Sequence, residues 1–166
     1  ENPFTGWLLN LCEAIPLERG EADMSAIHTA LTMLAEGRIL AIAPEGTRSY
    51  HGRLQKGRPG TVMIALHSGA PILPIVYYGG ERFFENIRRL RRTDFHIAVG
   101  QPFYITTNSV KVSRQIRQQI IDEMMYQLAA LLPPDYRGVY ADLDAATTHY
   151  LRFAPEILAQ ESGMDH

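Results

Sequence analysis

Apolar residues recur at helical spacing in four stretches of the chain and dominate three short runs besides. Over residues 23–36, Met24, Ile27, Leu31 and Leu34 fall three and four apart. That is the repeat of an amphipathic helix, and Gly37 stands where a left-handed cap would end it. Residues 113–132 carry the same repeat at greater length, with Ile116, Ile120, Met124, Leu128 and Leu131 on one face. Pro133 and Pro134 would stop that helix. A shorter helical pattern covers residues 61–67, with Gly69 just beyond it. Near the start, Asn2 reads as a cap and Pro3 as the first helical residue. Phe4, Trp7, Leu8 and Leu11 then share a face that either packs into a core or rests at a bilayer interface, where tryptophan is enriched.

The three short apolar runs read as strands. Residues 39–43 are Ile-Leu-Ala-Ile-Ala, with no polar break, as in a strand buried on both faces. Pro44 lacks a backbone N–H and suits the end of that strand. Residues 72–78 form a second run, in which Pro74 marks an edge or a bulge. Residues 95–99 form a third. A helix feeding directly into the first run predicts an α/β domain with a mixed sheet flanked by helices. The predicted domain spans residues 1–134. A C-terminal extension, 135–166, follows, in which His149, Tyr150 and Phe153 make no chemical pattern.

A length of 166 residues and a hydrophobic content of 46% fit one domain with a packed core. The lone cysteine, Cys12, excludes an internal disulfide framework and reads as a small buried apolar residue. No apolar run approaches the roughly 18 residues of a transmembrane helix. The formal charge of −2 hides a strong asymmetry. Residues 38–92 hold ten Lys and Arg against three Asp and Glu, and the rest of the chain is correspondingly acidic. Arg82, Arg88, Arg89, Arg91 and Arg92 make residues 81–92 the most basic stretch. Phosphorylated substrates, acyl-carrier substrates and anionic membrane surfaces would be drawn there, unless it is a solvated face. No nucleic-acid-binding motif accompanies the charge. Gly52 and Gly57 have the spacing of a nucleotide-binding loop, but Arg58-Pro59 replaces the Lys-Ser or Lys-Thr that such a loop needs.

Candidate chemistry gathers at the exit of the first run. Glu45, Gly46, Thr47, Arg48 and Ser49 place a carboxylate, a permissive glycine, two hydroxyls and a guanidinium together. Ligands of open α/β sheets bind at the carboxyl ends of strands, and a guanidinium fork suits phosphate or carboxylate. An ordinary turn with a surface ion pair would look the same.

The block Ala43-Pro44-Glu45-Gly46-Thr47-Arg48-Ser49 resembles the Phe-Pro-Glu-Gly-Thr-Arg-Ser block of the glycerolipid acyltransferases, typified by 1-acylglycerol-3-phosphate acyltransferase. Two more blocks stand in the family's order. Residues 14–20, Ala-Ile-Pro-Leu-Glu-Arg-Gly, resemble the block whose arginine binds substrate phosphate. Residues 70–76, Ala-Pro-Ile-Leu-Pro-Ile-Val, resemble its Ile-Pro-Ile-Val-Pro-Val block. Arg58-Pro59-Gly60 matches a Lys-Pro-Gly step with arginine for lysine. The resemblance runs from about Phe4 to Pro102.

It implies a glycerol-3-phosphate acyltransferase-like fold. It also implies transfer of a fatty acyl group from acyl-CoA or acyl carrier protein to a lysophosphatidate-like hydroxyl. Glycerol-3-phosphate, a lysophospholipid or an amino-acid lipid are alternative acceptors. Arg19, Arg48 and Arg58 would hold phosphate, Thr47 would donate a hydrogen bond, and Glu45 would orient Arg48 or a substrate hydroxyl. Gly46 would allow close approach. The thioester is a co-substrate, and no cofactor or metal is implied.

The family's His-x-x-x-x-Asp pair does not occur in this sequence. The residues five beyond His28, His51, His67, His96 and His149 are Met33, Lys56, Ile72, Gln101 and Ala154. The expectation is a chain whose catalytic block lies upstream of Glu1. The alternative is a non-catalytic phospholipid-binding module. Location at the cytoplasmic face of a membrane, peripheral or anchored by an upstream segment, is expected.

Overall fold

The computed structural model describes residues 15, 24–47, 49, 51–107 and 112–153. By its contacts the chain divides into two compact units, Glu1–Ala41 and Ile42–His166.

In the first unit, helix α1 (Met24–Ala35) forms where the apolar spacing predicts it. Gly37 ends it at φ 77°, its N–H donating to the Leu34 carbonyl at 3.0 Å. The buried stripe centres on Ala26 and Ala30, with Ile27, Leu31 and Leu34 half-buried beside them and Met24 exposed. The expected strand over residues 39–43 does not form. Ile39 is 99% exposed, and Ile42 is exposed as well. A strand buried on both faces needs paired edges and cover above and below. Among the described residues none pairs with this run, and the division between the units falls inside it.

The second unit is built on α4 (Arg114–Leu131), preceded in the chain by α2 (Gly60–Ser68), β1 (Ile75–Tyr78), α3 (Phe83–Arg88), β2 (His96–Val99) and β3 (Phe103–Ile105). Three short 3-10 turns follow α4, at Pro134–Tyr136, Gly138–Tyr140 and Leu143–Ala145, before β4 (Leu151–Phe153). Ser113 caps α4 by accepting the Ile116 N–H at 3.2 Å, and Pro133 and Pro134 follow its last turn. The strands pair as two separate antiparallel ribbons, β1 with β2 and β3 with β4, in place of the expected mixed sheet. Pro74 keeps the second apolar run from being one strand. Ile72 bridges to Phe103, and β1 begins only after the proline.

Val62, Phe103, Ile120, Ile121, Met125, Ala129, Tyr140 and Leu151 share one core. The buried face of α4 therefore includes Ile120 and Met124, as the spacing predicts, but is widened by Ile121, Met125 and Ala129. It also contains a carboxylate. Glu123 is 1% exposed, yet its oxygens accept from the Thr147 hydroxyl (2.7 Å), the Tyr150 N–H (2.9 Å) and the His149 N–H (3.2 Å). A buried polar group must be paired or it costs stability, and here the pairing fastens residues 147–150 to the helix. Residues 135–153, the described part of the expected C-terminal extension, belong to this second unit.

Glu123→Ala removes the acceptor for two backbone N–H groups at once. It is expected to lower the unfolding free energy by about 3 kcal/mol, read from urea denaturation. A loss below about 1 kcal/mol would mean that other contacts hold residues 147–150.

Candidate functional site

Residues 43–47 form a tight turn. Pro44 takes a position that its fixed φ favours, and the Gly46 N–H donates to the Ala43 carbonyl at 3.0 Å. Gly46 has φ 64°, a conformation that side chains resist. A Cβ there would also lie 2.9 Å from Cδ of Arg58. The missing side chain is what lets Arg58 lie across the turn. The Arg58 N–H reinforces this contact by donating to the Pro44 carbonyl at 2.9 Å. The structure thus brings Glu45, Gly46, Thr47 and Arg58 together, across a gap of eleven residues or more in sequence. Arg19 and Arg48 lie outside the described residues.

Glu45 is half-buried, and among the described residues its Oε2 is buried without a hydrogen-bond partner. Burial pushes its carboxyl above the ordinary glutamate range, and a backbone hydrogen bond from Gln55 opposes the shift. An orphaned buried acceptor is poised to accept from a ligand hydroxyl or to meet a cation. Thr47 is exposed beside it.

The loop carrying Arg58 is fastened at several points. The Ser49 hydroxyl donates to the Arg53 carbonyl at 2.6 Å and accepts the Arg53 N–H at 3.0 Å. Leu54 donates its N–H to the Tyr136 carbonyl (2.9 Å) and accepts from the Val139 N–H (3.2 Å). The Gly57 N–H donates to the Tyr140 hydroxyl at 3.0 Å, and that hydroxyl donates to Oδ1 of Asp122 at 2.7 Å. Burial raises the Tyr140 phenol well above its ordinary range, and the Asp122 carboxylate adds to the effect, so the hydroxyl keeps its proton. Gly57 is buried against α4, where a Cβ would come within 2.6 Å of Ile121 and 2.7 Å of Met125.

Tyr140, Asp122 and Leu54 are the positioning residues that the sequence does not disclose. Tyr140 and Gly57 are 83 residues apart, and no local pattern announces such a pairing. A polar cavity of about 400 Å³ lies along α4, lined by Gln115, Gln119, Asp122, Glu123 and Tyr126 among others. It does not include the turn, and both of its carboxylates already accept hydrogen bonds within the fold. Among the described residues no group of His, Cys, Asp and Glu could hold a metal ion. No described helix is long and apolar enough to cross a membrane.

Residues 1–78, which include the turn and Arg58, match the family model described as Acyltransferase. Over that segment the chain is similar to the acyltransferase family. A 1-acyl-sn-glycerol-3-phosphate acyltransferase of Bacillus subtilis is 30% identical over 107 residues, 63% of this chain and 50% of the relative. The chloroplastic enzyme BAT2 of Brassica napus, of the same description, is 28% identical over 108 residues, 61% of this chain and 31% of its own length. That of Borreliella burgdorferi is 38% identical over 84 residues, 49% of this chain and 34% of the relative. The chain therefore spans about a fifth to a half of the curated relatives it matches. No solved structure matches it.

Two substitutions probe this turn and its support. Tyr140→Phe keeps the ring but leaves the Gly57 N–H and Asp122 without their shared partner, and is expected to cost about 1–2 kcal/mol in urea unfolding. An unchanged midpoint would show that the Leu54 contacts alone hold the loop. Glu45→Gln tests the strained carboxyl. A carboxyl whose pKa is raised on folding contributes most to stability when protonated and loses that contribution as pH rises through its folded value. The amide should therefore melt higher than the wild type at neutral pH. The gain should vanish as pH falls below the ordinary glutamate range, where both side chains are neutral. A variant that melts lower at neutral pH would mean the carboxylate is paired and stabilising.

Proposed function

We propose that this chain carries the acceptor-holding part of a 1-acyl-sn-glycerol-3-phosphate acyltransferase. In this reading the intact protein moves a fatty acyl group from acyl-CoA or acyl carrier protein to the free hydroxyl of a lysophosphatidate-like acceptor. It does so during phospholipid synthesis, at the cytoplasmic face of a membrane. The observation that supports it most is the packing of Arg58 across Gly46, in the turn that also carries Glu45 and Thr47.

The acceptor's oxygen attacks the thioester carbonyl, the carbon–sulfur bond breaks, and the thiolate leaves with the proton that the hydroxyl gave up to a base. The family's base is a His-Asp pair, and this sequence has no His-x-x-x-x-Asp. The task of the residues present is then to bind and orient. Arg48 and Arg58 grip the acceptor's phosphate, Thr47 donates its hydroxyl hydrogen, and Glu45 fixes a cation or a substrate hydroxyl. Arg19 adds a further positive charge. Holding the acceptor in line converts an encounter into a reaction within one complex.

Arg48→Ala and Arg58→Ala in the intact enzyme should each lower the acceptor's kcat/KM by roughly ten- to a hundred-fold, with little change for the donor. Arg48→Lys should recover only part of the loss, because a lysine keeps the charge without the planar fork. A well-folded Arg48→Ala enzyme with unaltered acceptor kcat/KM would falsify the phosphate assignment. The 166-residue chain alone should bind glycerol-3-phosphate but turn over no lysophosphatidate, since a general base typically contributes about 10²–10⁴-fold. Turnover by that chain near the rate of the intact protein would contradict the division of labour. Binding without turnover in the intact protein would favour the phospholipid-binding module.

A further inference from the structure

The connection between β1 and β2 combines charge and exposed apolar surface in a way the fold does not require. It contains α3, and its large apolar residues face solvent: Phe84 is 75% exposed, Leu90 96%, Ile87 55% and Phe83 48%. Phe83 and Phe84 pack edge to face, with centroids 5.4 Å apart. Ile87 lies three and four residues beyond them, on the same side of the helix. At the base of this tip, the exposed Tyr77 and Phe95 stack at 5.7 Å.

Leu90 has an unusual backbone conformation. Its φ is 52°, and among the described residues it is the one non-glycine at positive φ. Glycine or asparagine would adopt that conformation more cheaply, and a leucine pointing into water contributes nothing to the core. The tip is nonetheless fixed in shape. Asn86 accepts from the Arg91 N–H at 2.8 Å, and its side-chain amide donates to the Thr93 hydroxyl at 3.1 Å. So the leucine is held outward by an ordered loop.

The charge around these residues is predominantly positive, five arginines against Glu81 and Glu85. Arg89 pairs with Glu85 at 3.0 Å, whereas Arg82, Arg88, Arg91 and Arg92 are exposed and make no ion pair among the described residues. Aromatic and aliphatic side chains ringed by arginines fit the boundary between lipid headgroups and acyl chains, where apolar area is buried and anionic phosphates meet the cations. A second protein copy would bring the same positive charge against itself, so charge complementarity favours the bilayer.

We propose that residues 81–92 dock this chain on an anionic lipid bilayer, with Phe83, Phe84, Ile87 and Leu90 entering the headgroup–acyl boundary and the unpaired arginines on lipid phosphates. The proposal rests on the acyl-transfer reading only in giving a lipid surface a reason to be present. Its test reads partition and not turnover, so the two can fail separately.

The 166-residue chain is mixed with vesicles of phosphatidylglycerol and phosphatidylcholine, and with phosphatidylcholine vesicles as control. Trp7, the single tryptophan, is replaced by phenylalanine, and Phe84→Trp supplies the probe. On anionic vesicles its emission should shift to the blue and be quenched by brominated acyl chains. The double variant Phe84→Ser with Leu90→Ser should partition at least tenfold more weakly with an unchanged melt. Arg88→Gln, Arg91→Gln and Arg92→Gln together should weaken binding and flatten its dependence on salt. The proposal is overturned if the probe stays unshifted on sedimenting protein, or if the double serine variant binds like the wild type. It is also overturned if the same variant abolishes self-association while lipid binding is never seen.

Discussion

The Tyr140 hydroxyl sits between a backbone N–H that needs an acceptor and a carboxylate that needs a donor, and it satisfies both. One partner, Gly57, belongs to the loop that carries Arg58, and the other, Asp122, belongs to the long helix at the centre of the second unit. Because Gly57 has no side chain, the loop can lie directly on Ile121 and Met125. Fixing a loop costs conformational entropy, which scattered surface contacts rarely offset. Here a buried hydrogen bond, two backbone bonds from Leu54 and a flat approach to the helix do so together.

From that anchor the candidate site follows by short steps. Gly57 is next to Arg58, the Arg58 N–H is tied to Pro44, and the Arg58 side chain crosses Gly46. The turn that carries Thr47 and the half-buried Glu45 is therefore held under Arg58 by contacts that begin in the C-terminal turns. Residues 134–140 contribute geometry to a site made of residues 43–58, although they lie outside the matched family segment. The cost of the arrangement falls on Glu45, whose burial disfavours the charge that would make it a useful acceptor.

The parts legible in the sequence are those that local rules decide. Helices α1, α2 and α4 show their period, and Gly37, Gly69 and Ser113 mark their ends, because caps and spacing act within a few residues. Pro74 likewise announces its break in the second run. The run at 39–43 was misleading because burial of a strand is decided by neighbours, and composition cannot supply them. Glu123 is hidden for the opposite reason. A charged residue beside Met124 reads as the wet edge of a helix, and its partners come from residues 147–150. Within the site, the residue types were legible through family blocks at 43–49 and 58. The contact of Gly46 with Arg58 and the anchoring by Tyr140 are tertiary, with no trace in spacing.

The Arg58 loop is an integral part of the folded unit, fastened to α4 through Tyr140. Amide hydrogen exchange at Leu54 and Gly57 tests it most directly. If the loop opens only when the unit unfolds, both amides should exchange as slowly as those in the middle of α4, and their rates should follow global stability as denaturant is added. Exchange at the rate of an exposed loop, with α4 still protected, would contradict the account.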